Sequence, residues 1–318
     1  MEKPYVIGID MGGTNTVFGI VDVRGNVLTK SAIKTTAHSD VNLYIDDLYN
    51  ELMKLIVAEG GIEKIRGIGV GAPNGNFYTG NIEFAPNLPW KGVIPFSSLL
   101  REKFGIPVAL TNDANAAAIG EMTYGIARGM KDFIMITLGT GVGSGIVIDG
   151  KLVYGHDGFA GELGHVTAIR NGRLCGCGKN GCLEAYASAT GVARTAREIL
   201  ETTNQESILR NIPLADITSK DVYDAAKEGD EVAIEIFNFT GKILGELFAD
   251  FVAFSAPEAI ILFGGLSKAG EFILGPIREN MEKNLLPIWK GKIKILFSIL
   301  KESDAAILGA SALAWELQ

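Results

Sequence analysis

Residues 161–188 gather three cysteines and a histidine, and with them the metal-binding chemistry of the chain. Cys175, Cys177 and Cys182 are all the cysteines in the sequence. Three thiolates and one imidazole are the donor set of a closed, tetrahedral structural zinc site, and the glycines between them permit sharp turns. His165 and His156 both lie close enough in sequence to supply the imidazole, while His38 sits in a polar stretch. A metal-pinned loop also fixes the acids it carries, Glu162 and Glu184. Rigid carboxylates are hydrogen-bond acceptors for the hydroxyls of a polyol. Each glutamate alone also fits a solvated surface acid or an acid at a helix N-terminus.

Two glycine-rich stretches, DMGGTNT at 10–16 and LGTGVGSG at 138–145, each join two apolar runs. Neither has the spacing of a P-loop or of a dinucleotide-binding turn. Gly139, Gly141, Gly143 and Gly145 recur at every second position, which within a strand leaves one face bare for something to approach the backbone. Exposed N–H groups in such turns bind anions, and Thr14 and Thr140 add hydroxyl donors. Two such loops facing each other form a phosphate clamp. Asp10, where the first strand ends, suits Mg²⁺, which favours a carboxylate plus phosphate oxygens; it also suits a turn cap. Asn112–Asp113 stands where an apolar strand meets an Ala-rich helix, a place where ligands collect in α/β sheets and also the pattern of an N-cap. In company with two phosphate loops and polyol acids, Asp113 fits a general base that takes a proton from a hydroxyl while the loops hold a γ-phosphate in line.

The elements that must position these groups alternate. Strands are expected at 5–10, 16–23 and 27–34, a helix at 41–59, strands at 66–71 and 107–111, and a helix at 113–124. That order predicts an α/β fold. Ile7–Asp22 aligns without a gap to Ile134–Asp149, with four of 16 positions identical and the same strand–glycine loop–strand plan. We read this as two copies of one unit. The stretch 230–254 is apolar nearly all round, as a buried helix is. A strand at 259–263 runs into Gly264–Gly265, and an apolar helix at 303–316 is expected to return to the first half. The domains expected are 1–128 plus 303–318, and 129–302.

The chain has 318 residues, 47% apolar and 21% charged, with a net charge of −8. This is a globular composition with ample material for a core. The acidic balance and the lack of a basic block argue against nucleic-acid or anionic-membrane partners. No apolar run reaches the ~18–20 residues of a membrane span, and no secretory signal pattern opens the sequence. An odd, clustered cysteine set suits a reducing compartment, so a cytoplasmic location is expected.

Taken together, the chain resembles the ROK family of sugar kinases, within the actin-like ATPase superfamily, essentially end to end. The resemblance lies in D-x-G-G-T at Asp10–Thr14, PN-L-x-W at Pro86–Trp90, N-D at Asn112–Asp113 and LGTGVG at 138–143. It continues in E-L-G-H at 162–165, C-x-C-G-x-x-G-C-x-E at 175–184, FGGL at 263–266 and D-A-A-I-L-G-A at 304–310. It implies two actin-like (ribonuclease H-like) domains around a central cleft, a zinc-bound loop in the second domain, and a homodimer. The implied activity is ATP-dependent phosphorylation of a hexose at its 6-hydroxyl. Glucose is the first choice, with N-acetylglucosamine, N-acetylmannosamine, mannose and fructose as alternatives, and polyphosphate as an alternative donor.

Carried over by position, the resemblance makes Asp113 the base, with Asn112, Glu162, His165 and Glu184 on the sugar and Asn87 as an extra contact. His165, Cys175, Cys177 and Cys182 would hold zinc, and Asp10 would work with Mg²⁺. Gly12, Gly13, Thr14, Gly139, Thr140 and Gly141 would hold phosphates, and Gly264 and Gly265 would lie along the adenosine. The family also includes sugar-responsive repressors with a helix-turn-helix ahead of the first phosphate strand. Here that strand starts near residue 5, which argues against a repressor. Two departures stand out. Asn15 occupies a position where many relatives carry Lys, and Ala72–Asn76 reads APNGN where Pro-Gly is common, placing Asn74 beside the expected sugar pocket.

Overall fold

The computed structural model describes residues 3–317, and two five-stranded sheets of identical strand order organise it. The chain begins with a meander of β1 (Tyr5–Met11), β2 (Asn15–Asp22) and β3 (Val27–Lys34), followed by α1 (Val41–Ala58) and β4 (Ile65–Gly71). A small hairpin of β5 (Ile82–Glu83) and β6 (Val93–Ile94) precedes α2 (Phe96–Phe104), β7 (Val108–Thr111) and α3 (Asp113–Tyr124). The second half repeats the meander as β8 (Phe133–Leu138), β9 (Val142–Ile148) and β10 (Lys151–Leu152). Helices α4 (Glu184–Ala187), α5 (Ala189–Thr202), α6 (Ser219–Lys227) and α7 (Glu231–Ser255) lead to β11 (Ala259–Phe263). Then come α8 (Glu271–Asn284), β12 (Lys294–Phe297) and α9 (Glu302–Ala314).

The first sheet runs β3-β2-β1-β4-β7 and the second β10-β9-β8-β11-β12, each with an antiparallel meander and two further parallel strands. This is an α/β fold with mixed sheets. The internal repeat is therefore real at the level of topology, but its gap-free alignment slips. Met11 pairs with Thr16, whereas Leu138 pairs with Val142, so the second turn is one residue tighter. The alignment holds for β1 against β8 and is off by one for β2 against β9.

Helix α1 starts at Asp40, whose side chain accepts from Asn42 N, and buries Tyr44, Ile45, Leu48, Leu52 and Ile56 on one stripe. With α2 it covers one face of the first sheet. The other face is closed by α9, which comes so near that a Cβ added to Gly8 or Gly69 would lie 2.1 Å from Ile307 O or 1.9 Å from Ala310 O. Only glycine permits that approach. Helix α3 lies on the second sheet: Cβ atoms added to Gly143 and Gly145 would fall 2.8 and 2.6 Å from the Cβ atoms of Ala114 and Ala118. Half of the bare glycine face thus receives a helix of the same chain, not a ligand.

The chain passes between the sheets after α3 and again after β12. Glu121, fully buried near the end of α3, accepts from Ile126 N (2.9 Å) at the first passage and from the Ser298 hydroxyl at the second.

The long helix α7 departs from the expectation of burial on all sides. Glu235, Asn238, Lys242, Glu246 and Asp250 form an exposed stripe along it, because their 3–4 spacing returns them to one face. Among the described residues no helix is long and apolar enough to cross a membrane.

Candidate active site

Strands β1, β4 and β7 run parallel and finish side by side, bringing Asp10, Gly71 and Asp113 together. A Cβ on Gly71 would stand 3.5 Å from Asp113 Cα and 3.6 Å from Asp10 Oδ1, so the strand between the two acids carries no side chain there. Both acids line a cavity of about 200 Å³ that continues past Thr137 and Met135 to Glu121. Asn112 caps α3, and its Oδ1 and the Asp113 Oδ1 both accept from Ala114 N at 2.8 Å. The cap reading of Asn112 is thus met.

Asp113 is open to water on one side and surrounded by protein on the others. Burial pushes its carboxyl above the usual range, against the pull of the Ala114 N–H bond. Burial, and then the charge of Asp113, raise the Asp10 carboxyl to about 7. Glu162 is raised as well, by burial first, with His165 opposing and Asp113 and Glu184 adding to the rise. These acids and His165 thus share one electrostatic neighbourhood.

The first glycine turn spans Gly12–Asn15 and is closed by Gly12 N donating to Asn15 O at 3.0 Å. Beneath it, Thr35 Oγ1 donates to Gly12 O (2.7 Å), and the Thr16 hydroxyl bonds both Thr35 (2.9 Å) and Tyr44 (2.6 Å). This buried hydroxyl trio escaped the sequence reading because its members are far apart and follow no period. Gly13 lies against Asn87, whose backbone O would be 3.0 Å from an added Cβ, so Asn87 flanks this turn. Thr14 is exposed, and Asn15 stands in register with Lys34, a cation at the edge of this turn.

The second turn, Gly139–Gly141, rests on the start of α4 and α5. Val142 N donates to Glu184 Oε2 (3.0 Å), Ala189 N to Gly139 O (2.8 Å), and Thr190 Oγ1 to Thr140 O (3.0 Å). Open space adjoins Gly139, and Thr140 is exposed. Gly264, at φ +103°, packs on Leu138 of the same strand end, and Gly265 borders open space. The two turns, Gly264 and Gly265 are thereby placed at strand carboxyl ends.

The donor atoms of His165, Cys175, Cys177 and Cys182 all lie within 4.8 Å of one another. Cys177 Sγ and Cys182 Sγ are 3.6 Å apart, and Cys175 Sγ is 3.8 Å from His165 Nδ1. With metal–sulfur bonds of about 2.3 Å, the edge of a tetrahedron is about 3.8 Å, so the residues fit a zinc ion. His156 lies outside the group. His38 bonds Asp47 at 3.0 Å.

Arg173, within the same loop, was not singled out from sequence. Its guanidinium is buried, bonded to Glu198, Thr195 and Ala185 O, and lies 4.5 Å above the Tyr186 ring. It fastens the loop to α4 and α5 without any metal. Asn74 proves to be a turn residue: its φ of 51° is in the left-handed region and its amide donates to Glu83 O at 2.9 Å. Asn tolerates that conformation better than other side chains, so the departure from Pro-Gly preserves the turn. The same loop reaches the second half through Asn76, which donates to Asp157 O (2.8 Å), and through Phe77, stacked on Tyr154 at 4.0 Å.

A sequence profile of the ROK family matches residues 6–316. The chain is 35% identical to a glucokinase of Thermotoga maritima over 318 residues, covering 99% of both chains. It is 31% identical to a xylose repressor of Caldicellulosiruptor bescii, covering 97% of this chain and 77% of the repressor. The crystal structure of a ROK family glucokinase from Streptomyces griseus, in complex with glucose and AMPPNP, superposes with a TM-score of 0.80 at 33% identity, covering 98% of this chain and 99% of that one. The end-to-end match in sequence and fold places the chain in the ROK family.

Proposed function

We propose that the protein transfers the γ-phosphoryl group of ATP to the 6-hydroxyl of glucose. The observation that carries this reading is the meeting of Asp10 and Asp113 across Gly71 at parallel strand ends, beside the Gly12–Asn15 turn. The full-length similarity to glucokinases supports glucose as the sugar.

In this reading the chain works as two lobes, 1–128 with 303–318 and 129–302, around the cleft that holds the acids. Asp113 accepts the proton of the 6-hydroxyl as the oxygen attacks phosphorus. Asn112, Glu162, His165 and Glu184 orient the sugar, with Asn87 at the margin. The turns at Gly12–Gly13 and Gly139–Gly141, through the N–H groups of Gly13 and Gly141 and the hydroxyls of Thr14 and Thr140, hold the phosphates in line, and Gly264 and Gly265 accommodate the adenosine. Asp10 would hold Mg²⁺, which would neutralise charge on the phosphates. Zinc held by His165, Cys175, Cys177 and Cys182 would brace the sugar wall structurally.

The test is ADP release measured over a panel of hexoses and N-acetylhexosamines. Glucose is expected to give the highest kcat/KM. A higher value for N-acetylmannosamine or N-acetylglucosamine would replace glucose as the substrate, and no ADP release with any sugar would end the kinase reading.

A further inference from the structure

We infer that Glu184 is a strut joining the sugar wall to the second phosphate turn, so that the two substrates sense each other through residues 184–190. The inference rests on the proposed reading of the site and adds a route of communication within it. Oε2 of Glu184 is committed to Val142 N (3.0 Å), the first residue after the Gly139–Gly141 turn. Oε1 points the other way, toward the metal loop, 3.5 Å from Cys175 Sγ. A thiolate bound to metal has no proton to donate, which leaves Oε1 as an acceptor for a sugar hydroxyl.

The strut is stiff for reasons visible around it. Helix α4 opens at Glu184, and Arg173 donates to Ala185 O and covers Tyr186. Ala189 N and Thr190 Oγ1, just beyond α4, bond Gly139 O and Thr140 O. Three hydrogen bonds therefore join the turn to a seven-residue stretch that begins at Glu184. Gly141 is the point of closest approach: an added Cβ would lie 2.5 Å from Glu184 Oε2, whereas one on Gly139 would meet nothing within 4 Å. A methyl group at 141 must move the carboxylate; one at 139 need not.

The experiment is calorimetric titration of the zinc-replete full chain with glucose, with and without saturating Mg–AMPPNP. In the wild type, Mg–AMPPNP is expected to tighten glucose several-fold, and glucose to tighten Mg–AMPPNP by the same factor. G141A is expected to weaken glucose about tenfold in the absence of nucleotide, as loss of a hydrogen bond to a charged group does.

Wild-type protein that does not bind glucose refutes the functional reading. Wild-type protein that binds glucose, with folded G141A equal to it, overturns this inference alone. A wild-type coupling factor of one also overturns it. Should circular dichroism show G141A unfolded, T190V decides, since it removes the Thr190 hydroxyl's bonds to Thr140 O and to the Ser188 hydroxyl while leaving Glu184 in place: a reduced coupling factor supports the strut and an unchanged one overturns it.

Discussion

Asp10 and Asp113 flank Gly71 at the carboxyl ends of their strands, and the charge of Asp113 adds to burial in holding the Asp10 carboxyl at about 7. A carboxyl raised on folding stabilises the ligand-free protein fully below its unfolded pKa of 3.8, and that stability is lost as pH rises through about 7. Ligand-free Asp10→Asn, which imitates the protonated group, is therefore expected to melt higher than the wild type at pH 8, with the gap closing toward pH 4. Scanning calorimetry across that range checks it, and a Tm at pH 8 no higher than wild type contradicts the assignment.

Asp113→Asn is expected to bind glucose normally while kcat falls by about 10²–10⁴. Because burial raises the Asp113 pKa, wild-type kcat should climb with pH along an acidic limb displaced above the ordinary carboxylate range. The residual activity of the variant should lack that limb. Near-normal turnover in the variant would remove Asp113 as the base.

Protein purified without added metal is expected to carry one zinc per chain by elemental analysis. Cys175→Ala should lose the metal, melt several degrees lower and bind glucose more weakly, because His165 and the neighbouring acids lose their brace. Arg173 bonds to Glu198 and Ala185 O remain in that variant, so the fold as a whole should survive. Active wild-type protein free of zinc would refute the site.

Glu121 binds both passages of the chain between the sheets. Glu121→Ala is expected to cost about 1–3 kcal/mol, since it leaves the buried Ile126 N–H unpaired. Glucose with Mg–AMPPNP is expected to draw the two halves together, and the variant to blunt that compaction. Denaturant unfolding and small-angle scattering measure the two effects, and Glu121→Gln, which can still bond both partners, should restore most of each.

Asn74→Gly is expected to leave stability nearly unchanged, whereas Asn74→Ala should cost about 1–2 kcal/mol for a left-handed residue without the Asn side chain. Neither should change the order of preference among sugars. A switch in that order would make Asn74 a determinant of sugar choice.

Much of this architecture is written locally. Helix α3 runs Asp113–Tyr124, as its Ala-rich pattern and Asn112 cap indicate, and β3 and β11 fall where their apolar runs do. Other features have no local signature. Thr16, Thr35 and Tyr44 form one hydrogen-bonded group only after three elements pack, and Arg173 resembles any loop arginine until Glu198 and Tyr186 surround it. Strands β5 and β6, two residues each, are too short to show alternation. The glycine repeat at 139–145 announced a close approach correctly but could not say to what. Gly143 and Gly145 meet α3, Gly141 meets Glu184, and Gly139 alone of the four is left open.

The seat of α9 on Gly8 and Gly69 has a bearing on how the protein is made. Translation completes the first sheet long before it reaches α9, and the whole second sheet emerges in between. Throughout that interval Gly8 on β1 and Gly69 on β4 lack the helix that covers them in the finished protein. The nascent first half is therefore a sheet awaiting its lid, and its safekeeping until release from the ribosome falls to chaperones or to speed of synthesis.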